Sequence, residues 1–336
     1  MDTGDSAERH TGGWYGAFGR RLFFAMAPER SHRVALAMLA LPLPWGRIGH
    51  AVADPALEGS VAGVPLANPI GLASGFDKAC ERFRAIGKLG FGYVVGGTIT
   101  LAPRRGNAQP RIARDPARRA LVNAMGLPNP GAHAVAATLA RERRTTSRWV
   151  SLADEEVEDA CAAFDLVAPH VDAIELNASS PNAGWAHGAD HVGALVTALR
   201  PRADVPVFVK VPPFETDEER EGVLSMVRAA QQGGAAGVTC ANTLPVQDAR
   251  MSTGRGGLSG GPLTLRTPIM VAAVRDATGG DLPINACGGI FTVGDARACL
   301  AAGATTVQVY TGLIYEGPAI AGRLAAALLA DEPGRG

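Results

Sequence analysis

The sequence predicts an α/β fold, a closed (β/α)8 TIM barrel preceded by a short helical extension. Short apolar runs rich in β-branched residues recur along the chain, and amphipathic segments separate most of them. No G-x-G-x-x-G motif follows the first run, which argues against the alternative, an open doubly wound sheet. Eight such runs within 336 residues therefore favour a closed barrel.

Gly, Pro or Asn bounds most of the runs, as is typical of fully buried parallel strands. In chain order the runs are NPIGLAS near residue 70, GYVVGGT near 95, RWVSLA near 150, VDAIELN near 174, VPVFVKV near 208, AGVTCAN near 238, LPINACGG near 285 and TTVQVYTG near 308. We therefore divide the chain into a helical extension at residues 1–50 and a barrel at residues 51–336.

The extension contains two amphipathic segments, each of which predicts a short helix. In the first, apolar residues recur at helical spacing beside two arginines: Trp14, Tyr15, Phe18, Leu22 and Phe23. The second begins at Ser31, the predicted N-cap, and stops at the prolines before Arg47. The two helices either pack on the barrel as a lid or dip into a bilayer interface through their aromatic and cationic residues.

Composition argues against several classes of protein. The formal net charge is zero, so nothing favours a nucleic-acid partner. No apolar run reaches the roughly 18 residues that a membrane-spanning helix needs. The five cysteines lack metal-ligand spacing and the seven histidines are dispersed, so we expect reduced thiols, a cytoplasmic compartment and no metal site.

Polar residues and glycine pairs follow the predicted strands. They are Lys78, Thr98, Asn177, Lys210, Asn242, Thr243, Gly288, Gly289, Tyr310 and Thr311. Functional residues of such a barrel lie at the C-terminal ends of its strands, so this pattern predicts a site at that end. The last two strands end in Gly288-Gly289 and Tyr310-Thr311, whose backbone N–H groups would converge on a phosphate.

The residue types at these positions indicate the kind of ligand. A buried lysine is costly unless it meets negative charge, so we interpret Lys210 as a cation that faces a cofactor gaining electron density on reduction. Lys78 could hold a substrate carboxylate. Four amide side chains are predicted at the same end of the barrel, those of Asn123, Asn177, Asn182 and Asn242. Amides offer both hydrogen-bond donors and acceptors, which suits a planar ring such as a pyrimidine dione.

Nine segments in family order make the sequence similar to dihydroorotate dehydrogenase, in its class 2, quinone-dependent branch. They span Pro65 to about Arg323 and are ANPIGLASGFDK, GFGYVVGGTIT, RRGNAQPRI, LVNAMGLPNPGA, LNASSPN, VFVKVPP, GGLSGGPL, INACGGIFTVGDA and VQVYTGLIYEGPA. The segment MAPERSHRVALAML also resembles the two-helix extension of that branch. Ser180, which alone would be interpreted as a turn residue, stands where the sister class has cysteine.

The resemblance implies an FMN-binding barrel that oxidises (S)-dihydroorotate to orotate in pyrimidine biosynthesis and passes the electrons to a quinone. It implies that Ser180 is the base that removes the C5 proton. It implies substrate contacts by Lys78, Asn123, Asn177, Asn182, Asn242 and Thr243. It implies FMN contacts by Ala73, Ser74, Gly75, Thr98, Asn177 and Lys210, and phosphate contacts by Gly260, Gly289, Tyr310 and Thr311. It also implies peripheral attachment to the cytoplasmic side of the cell membrane.

The chain departs from the family pattern around the expected substrate site. NAMGLPN replaces NRMGFNN, so Ala124, Leu127 and Pro128 stand where the family has Arg, Phe and an amide. The third strand offers Ser151 instead of Asn, and SSPNAGWAHG replaces SSPNTPGLR. Two alternatives therefore stay open. One is a paralogous FMN oxidoreductase acting on another cyclic dihydropyrimidine or enone, and the other is a flavin-free barrel with a binding or scaffold role.

Overall fold

The structure, a computed structural model, describes residues 15–154, 156–179, 188–202 and 204–330. Its centre is the predicted closed barrel, in which eight strands pair in parallel. They are β3 (Ile70–Leu72), β4 (Tyr93–Ile99), β7 (Ser147–Leu152), β8 (Ala173–Asn177), β9 (Val207–Val211), β10 (Gly237–Cys240), β13 (Ile284–Cys287) and β14 (Thr306–Val309). Each predicted run overlaps one of these strands, and pairing of β14 with β3 closes the barrel.

Helices follow the barrel strands, as the amphipathic segments predict. They are α4 (Phe83–Lys88), α5 (Ala132–Arg141), α6 (Val157–Val167), α7 (Gly188–Leu199), α8 (Asp217–Gly233), α9 (Arg266–Ala277), α10 (Val293–Ala301), α11 (Thr311–Glu316) and α12 (Ile320–Leu329). Helix α8 shows why such a segment begins where it does. Thr216 accepts a hydrogen bond from the Glu219 N–H, and the Glu219 carboxylate accepts one from the Thr216 N–H, which satisfies two backbone donors of the first turn.

Aromatic residues close the N-terminal end of the barrel. The ring centroids of Tyr93 and Phe208 each lie 4.5 Å from that of Trp149, and all three side chains are fully buried. A hairpin of β1 (Gly59–Val61) and β2 (Val64–Leu66) packs apolar side chains against this stack. Large aromatic side chains thus fill this end of the barrel, and among the described residues the open end is the C-terminal one.

A four-stranded antiparallel sheet, which the sequence analysis did not predict, lies at the C-terminal end of the barrel. Its strands, in spatial order, are β11 (Leu244–Gln247), β12 (Arg255–Gly260), β6 (Ala120–Asn123) and β5 (Ile112–Asp115). Two of them follow β4 in the chain and two follow β10. Two connections that are distant in sequence therefore build one wall, which we call the side sheet.

The extension contains the two predicted helices, α1 (Arg20–Ala25) and α2 (Pro28–Leu39), followed by the single turn α3 (Trp45–Ile48). The prediction of Ser31 as an N-cap is wrong. Helix α2 begins three residues earlier, because proline suits the first helical position. Ser31 lies inside the helix and donates its hydroxyl hydrogen to the Phe23 carbonyl oxygen at 2.6 Å.

The surface of the extension is partly apolar. Phe18 is 75% exposed and Leu22 is 60% exposed, whereas Phe23 is half-buried, with its ring centroid 6.1 Å from that of Tyr15. Trp14 lies outside the described residues. Over the described part of the chain, no helix combines the length and the hydropathy needed to cross a bilayer.

Candidate active site

A cleft of about 1370 Å³ lies at the C-terminal end of the barrel, bounded on one side by the side sheet. That volume exceeds the usual range for one drug-sized ligand, so the cleft has room for a cofactor and a substrate together. The predicted site residues that line it are Ser74, Gly75, Lys78, Thr98, Asn123, Asn177, Lys210, Asn242, Thr243, Gly260, Gly289, Tyr310 and Thr311. Ala73 is instead buried at its strand end. Ser180 and Asn182 lie outside the described residues.

Lys210, at the floor of the cleft, forms a buried ion pair that the sequence analysis missed. Its Nζ lies 3.6 Å from Oε1 of Glu175, and the two side chains are 5% and 0% exposed. Strand register brings Asn177 beside Lys210, and Glu175 precedes Asn177 by two residues, so both side chains of β8 face the barrel interior. The negative charge that a buried lysine requires is therefore supplied by the protein itself.

The surroundings of this pair keep Lys210 charged. Burial opposes the ammonium form, whereas the Glu175 carboxylate favours it, and the net shift of the pKa of Lys210 is upward. Burial also raises the pKa of the Cys287 thiol, which keeps that group neutral near pH 7. The carboxylate of Glu175 is thus the group that balances the lysine charge.

Glu175 is held by hydrogen bonds from three other barrel strands or strand ends. It accepts from Ser74 Oγ at 3.2 Å, Thr239 Oγ1 at 2.8 Å and Gln308 Nε2 at 3.3 Å. Gln308 lines the cleft, and its Oε1 is buried without a partner among the described residues. Because buried polar atoms are usually satisfied, this oxygen points to a ligand that can donate a hydrogen bond.

Asn177 joins polar residues from neighbouring strands at the rim of the cleft. Its Nδ2 donates to Thr98 Oγ1 at 3.2 Å, and its Oδ1 accepts from Ser179 Oγ at 2.8 Å. Asn242 Nδ2 donates to Ser179 Oγ at 2.6 Å. Ser151 stands where the resemblance implies an amide on the third strand, and its Oγ lies 3.0 Å from Thr98 Oγ1. The amides of Asn177 and Asn242 therefore come together with hydroxyl groups from neighbouring strands.

Lys78 provides a second cation at the cleft. Its Nζ donates to the Gly75 carbonyl oxygen at 2.5 Å. Burial and the nearby Arg111 lower the pKa of Lys78 to about 8, although Glu29 and Asp77 act in the opposite direction. The side chain is thus mostly charged at neutral pH and can meet a carboxylate.

Glycines at the far side of the cleft allow close backbone packing. Gly260, Gly288 and Gly289 have φ angles of 92°, 125° and 70°, a region that L-residues other than glycine rarely adopt. A Cβ at Gly289 would collide with the backbone of Thr264. Thr311, which follows β14, hydrogen-bonds to Ser259 on the side sheet at 2.9 Å. The glycine turns and the Tyr310-Thr311 pair therefore lie together, as the phosphate interpretation requires.

The residues that depart from the family pattern also line the cleft. Ala124, Leu127 and Pro128 follow β6, and all three line the wall of the cleft. Small and apolar side chains thus occupy positions where the resemblance implies a guanidinium, an aromatic ring and an amide.

Comparisons with known proteins agree with this geometry. A family model described as dihydroorotate dehydrogenase matches residues 56–330. The chain is 36% identical to the dihydroorotate dehydrogenase (quinone) of Acidovorax ebreus, with 93% of this chain and 97% of that protein covered. It is also 36% identical to the enzyme of the same name from Rhodospirillum rubrum, with 90% and 86% covered.

Solved structures give the same result. A crystal structure of DHODH from Eimeria tenella in complex with ferulenol matches with a TM-score of 0.79 and 30% identity, covering 90% of this chain and 91% of that chain. The ligand-free form from the same organism matches with a TM-score of 0.78 and 29% identity, covering 90% and 94%.

Proposed function

Since the chain belongs to the dihydroorotate dehydrogenase family, whose members are oxidoreductases, we propose that it oxidises (S)-dihydroorotate to orotate with bound FMN and passes the electrons to a quinone. The observation that carries this proposal is the arrangement of the cleft. A charged Lys210 lies at its floor, the amides of Asn177 and Asn242 lie at its rim, and Lys78 provides a second cation.

The residues of the cleft fit FMN. Lys210, Thr98 and Asn177 would hold the ring, with Ser74 and Gly75 beside it, and the unpartnered Gln308 Oε1 can accept from a ring N–H. Gly260, Gly289, Tyr310 and Thr311 would hold the phosphate. When bound, FMN accepts the two electrons that leave the substrate.

The other groups of the cleft suit a flat ring that carries a carboxylate. Lys78 would pair with the carboxylate, because it is charged at neutral pH. Asn123, Asn177, Asn242 and Thr243, together with Asn182, would bind the ring N–H and C=O groups. These contacts would present one face of the substrate to the flavin and exclude water from the other.

We assign the base to Ser180 from the family resemblance. Its neighbour Ser179 is held by hydrogen bonds with Asn177 and Asn242, two of the residues expected to bind the substrate. A serine hydroxyl without an adjacent histidine is a weak base. Ser180→Ala should keep bound FMN and lose most flavin reduction, whereas Ser180→Cys, with the sister class's residue, should keep more. Unchanged reduction in Ser180→Ala would contradict the assignment.

We further propose that the extension attaches the enzyme reversibly to the cytoplasmic face of the cell membrane, where a quinone is available. The exposed Phe18 and Leu22, beside Arg20 and Arg21, support this. Deleting residues 1–47 should release the protein from vesicles and impair quinone reduction while leaving dihydroorotate oxidation by a soluble acceptor. A full-length protein that never sediments with vesicles would contradict the attachment.

A second candidate is a paralogous FMN oxidoreductase acting on another cyclic dihydropyrimidine or enone. It is favoured by Ala124, Leu127 and Pro128, which line the cleft without the family's polar groups. The two candidates differ in one anaerobic experiment, in which (S)-dihydroorotate is added to the yellow protein. Prompt bleaching that a quinone analogue reverses supports the first candidate. A flavin that stays oxidised supports the second, and a colourless protein that takes up no FMN contradicts both.

A further inference from the structure

The barrel interior beneath the cleft holds a polar network that the proposed reaction does not by itself require. Tyr93 Oη lies 2.7 Å from Thr306 Oγ1, which donates to Asn285 Oδ1 at 2.7 Å. Asn285 Nδ2 donates to Thr239 Oγ1, and Thr239 donates to Glu175 Oε2 at 2.8 Å. The network therefore runs from the aromatic stack at the closed end to the carboxylate that faces Lys210.

Glu175 is the charged member of this network, and its position is fixed from several sides. It is 0% exposed and receives three side-chain hydrogen bonds besides the ion pair. A carboxylate buried this deeply is costly unless each oxygen is paired. Both oxygens are paired: Oε1 with Ser74 and Lys210, and Oε2 with Thr239 and Gln308.

Among the described residues, the Cys287 thiol also lies beside Lys210, and it is neutral as described above. The charge that a ligand in the cleft experiences from its floor is therefore that of the Lys210–Glu175 pair. A cation next to a flavin favours the reduced form, because the ring gains negative charge on reduction. A carboxylate 3.6 Å from that cation cancels much of this effect.

We propose that Glu175, a positioning residue that acts through Lys210, lowers the reduction potential of the bound flavin by offsetting the charge of that lysine. The inference rests on the proposed function, since it requires FMN in the cleft. Its consequence is that the flavin in this enzyme is a weaker oxidant of substrate, and a stronger reductant of the electron acceptor, than an unpaired lysine would make it.

The test is a double-mutant cycle on the FMN-loaded protein, with the flavin potential measured against reference dyes rather than through turnover. Four proteins are compared: wild type, Glu175→Gln, Lys210→Met and the double variant. Glutamine fits at position 175 because it has nearly the size and shape of glutamate, and its amide oxygen can still accept a hydrogen bond from Thr239 Oγ1.

We expect the reduction potential to be highest in Glu175→Gln, lower in wild type, lower again in the double variant and lowest in Lys210→Met. In Glu175→Gln the ratio of affinities for reduced and oxidised flavin should rise about tenfold, which corresponds to about 30 mV for a two-electron couple. Glu175→Asp, which restores the charge, should return the potential toward that of wild type. Thr239→Val removes a hydrogen bond to Glu175 without a change in charge, and should shift the ratio by less than about threefold.

The inference is overturned if Glu175→Gln has the wild-type potential and the double variant has that of Lys210→Met. If Glu175→Gln does not fold, the comparison of the double variant with Lys210→Met still decides, because only the proposal predicts a difference between them. A protein that binds no FMN would overturn this inference and the proposed function together. A yellow protein would overturn this inference alone if Glu175→Gln had the potential of wild type and the double variant had that of Lys210→Met.

Discussion

Arg111 and Glu29 form a two-bond ion pair that joins the side sheet to the extension. Arg111 lies one residue before β5, and Glu29 lies in the first turn of α2. Nε donates to Oε1 at 3.0 Å, and Nη2 donates to Oε2 at 3.1 Å. The two side chains are only 14% and 22% exposed, and the Arg111 guanidinium lowers the pKa of Glu29. The extension is therefore fixed to the wall of the cleft by a partly desolvated contact.

Glu29→Gln should lower the free energy of unfolding at neutral pH by about 1–2 kcal/mol, since it removes a charge-assisted pair. The folded-state pKa of Glu29 is lowered, so its contribution is present above the unfolded pKa and is lost as the pH falls through the folded one. Urea midpoints of wild type and variant should thus differ at pH 7 and converge at about pH 3.

The control for this experiment is Glu81→Gln, because Glu81 pairs with Arg82 while its side chain is 50% exposed. Exposed pairs contribute little, so its urea midpoint should match that of wild type at both pH values. Equal midpoints for wild type and Glu29→Gln at neutral pH would show that this ion pair does not contribute to the stability of the folded protein.

Lys210→Met should destabilise the FMN-free protein by about 3–5 kcal/mol, because it leaves the Glu175 carboxylate buried without its cation. The double variant Glu175→Gln/Lys210→Met should recover part of that loss, since no charge then stays unpaired. Chemical denaturation of the four proteins of the cycle measures both values. Losses that simply add would mean that the two side chains are not energetically coupled.

Substrate binding should weaken as the pH rises through the pKa of Lys78, which is about 8. Below that value the ammonium is charged and attracts a carboxylate, and above it the attraction is lost. The dissociation constant of orotate, titrated from about pH 6 to pH 9.5 by flavin absorbance, should therefore rise at the alkaline end. Lys78→Arg should bind without this pH dependence, because a guanidinium stays charged. An unchanged alkaline rise in Lys78→Arg would assign it to another group.

Asn242→Ala should reduce kcat/KM for dihydroorotate about 10- to 100-fold, a loss of about 1.4–2.7 kcal/mol in transition-state stabilisation. The variant lacks the Asn242 side-chain amide that would bind the substrate, and it lacks the hydrogen bond that fixes Ser179. Flavin content and the visible spectrum should stay close to wild type. Ser252→Ala serves as the control, since its hydroxyl bonds to Ala108 at an exposed turn. Equal kcat/KM for both variants would show that Asn242 does not contribute to substrate binding or turnover.

The barrel could be predicted from the sequence because each strand is a local signal. Runs such as VPVFVKV are apolar, β-branched and bounded by proline, and these properties need no knowledge of the partner strand. The amides and lysines at the strand ends followed from the barrel itself, since its parallel strands all end at the same rim.

The role of Glu175 was not predicted, although the sequence contains a signal for it. It lies in an otherwise apolar run, two residues before Asn177, and side chains two apart on a strand face the same way. A carboxylate on the same face as a site amide is a signal for a buried charge and hence for a cation opposite. Lys210 was already expected to need such a partner.

The side sheet could not be predicted in this way. Strand β12 has the sequence RGGLSG, and glycine is depleted in strands. Its stability comes from pairing with β6, in which Gly257 lies opposite Asn123. The local sequence of either strand carries no signal of that distant partner, so the pattern favours loops where the structure has strands.

The side sheet also has a consequence for synthesis on the ribosome. Residues 123 and 257 pair across the sheet, and a ribosome adding about 5–20 residues per second needs about 7–27 seconds to pass from one to the other. During that interval the nascent hairpin of β5 and β6 presents an unpaired edge, which is a template for association with other chains. We therefore expect translation that stalls before β12 to yield an aggregation-prone fragment, even though most of the barrel has already been made.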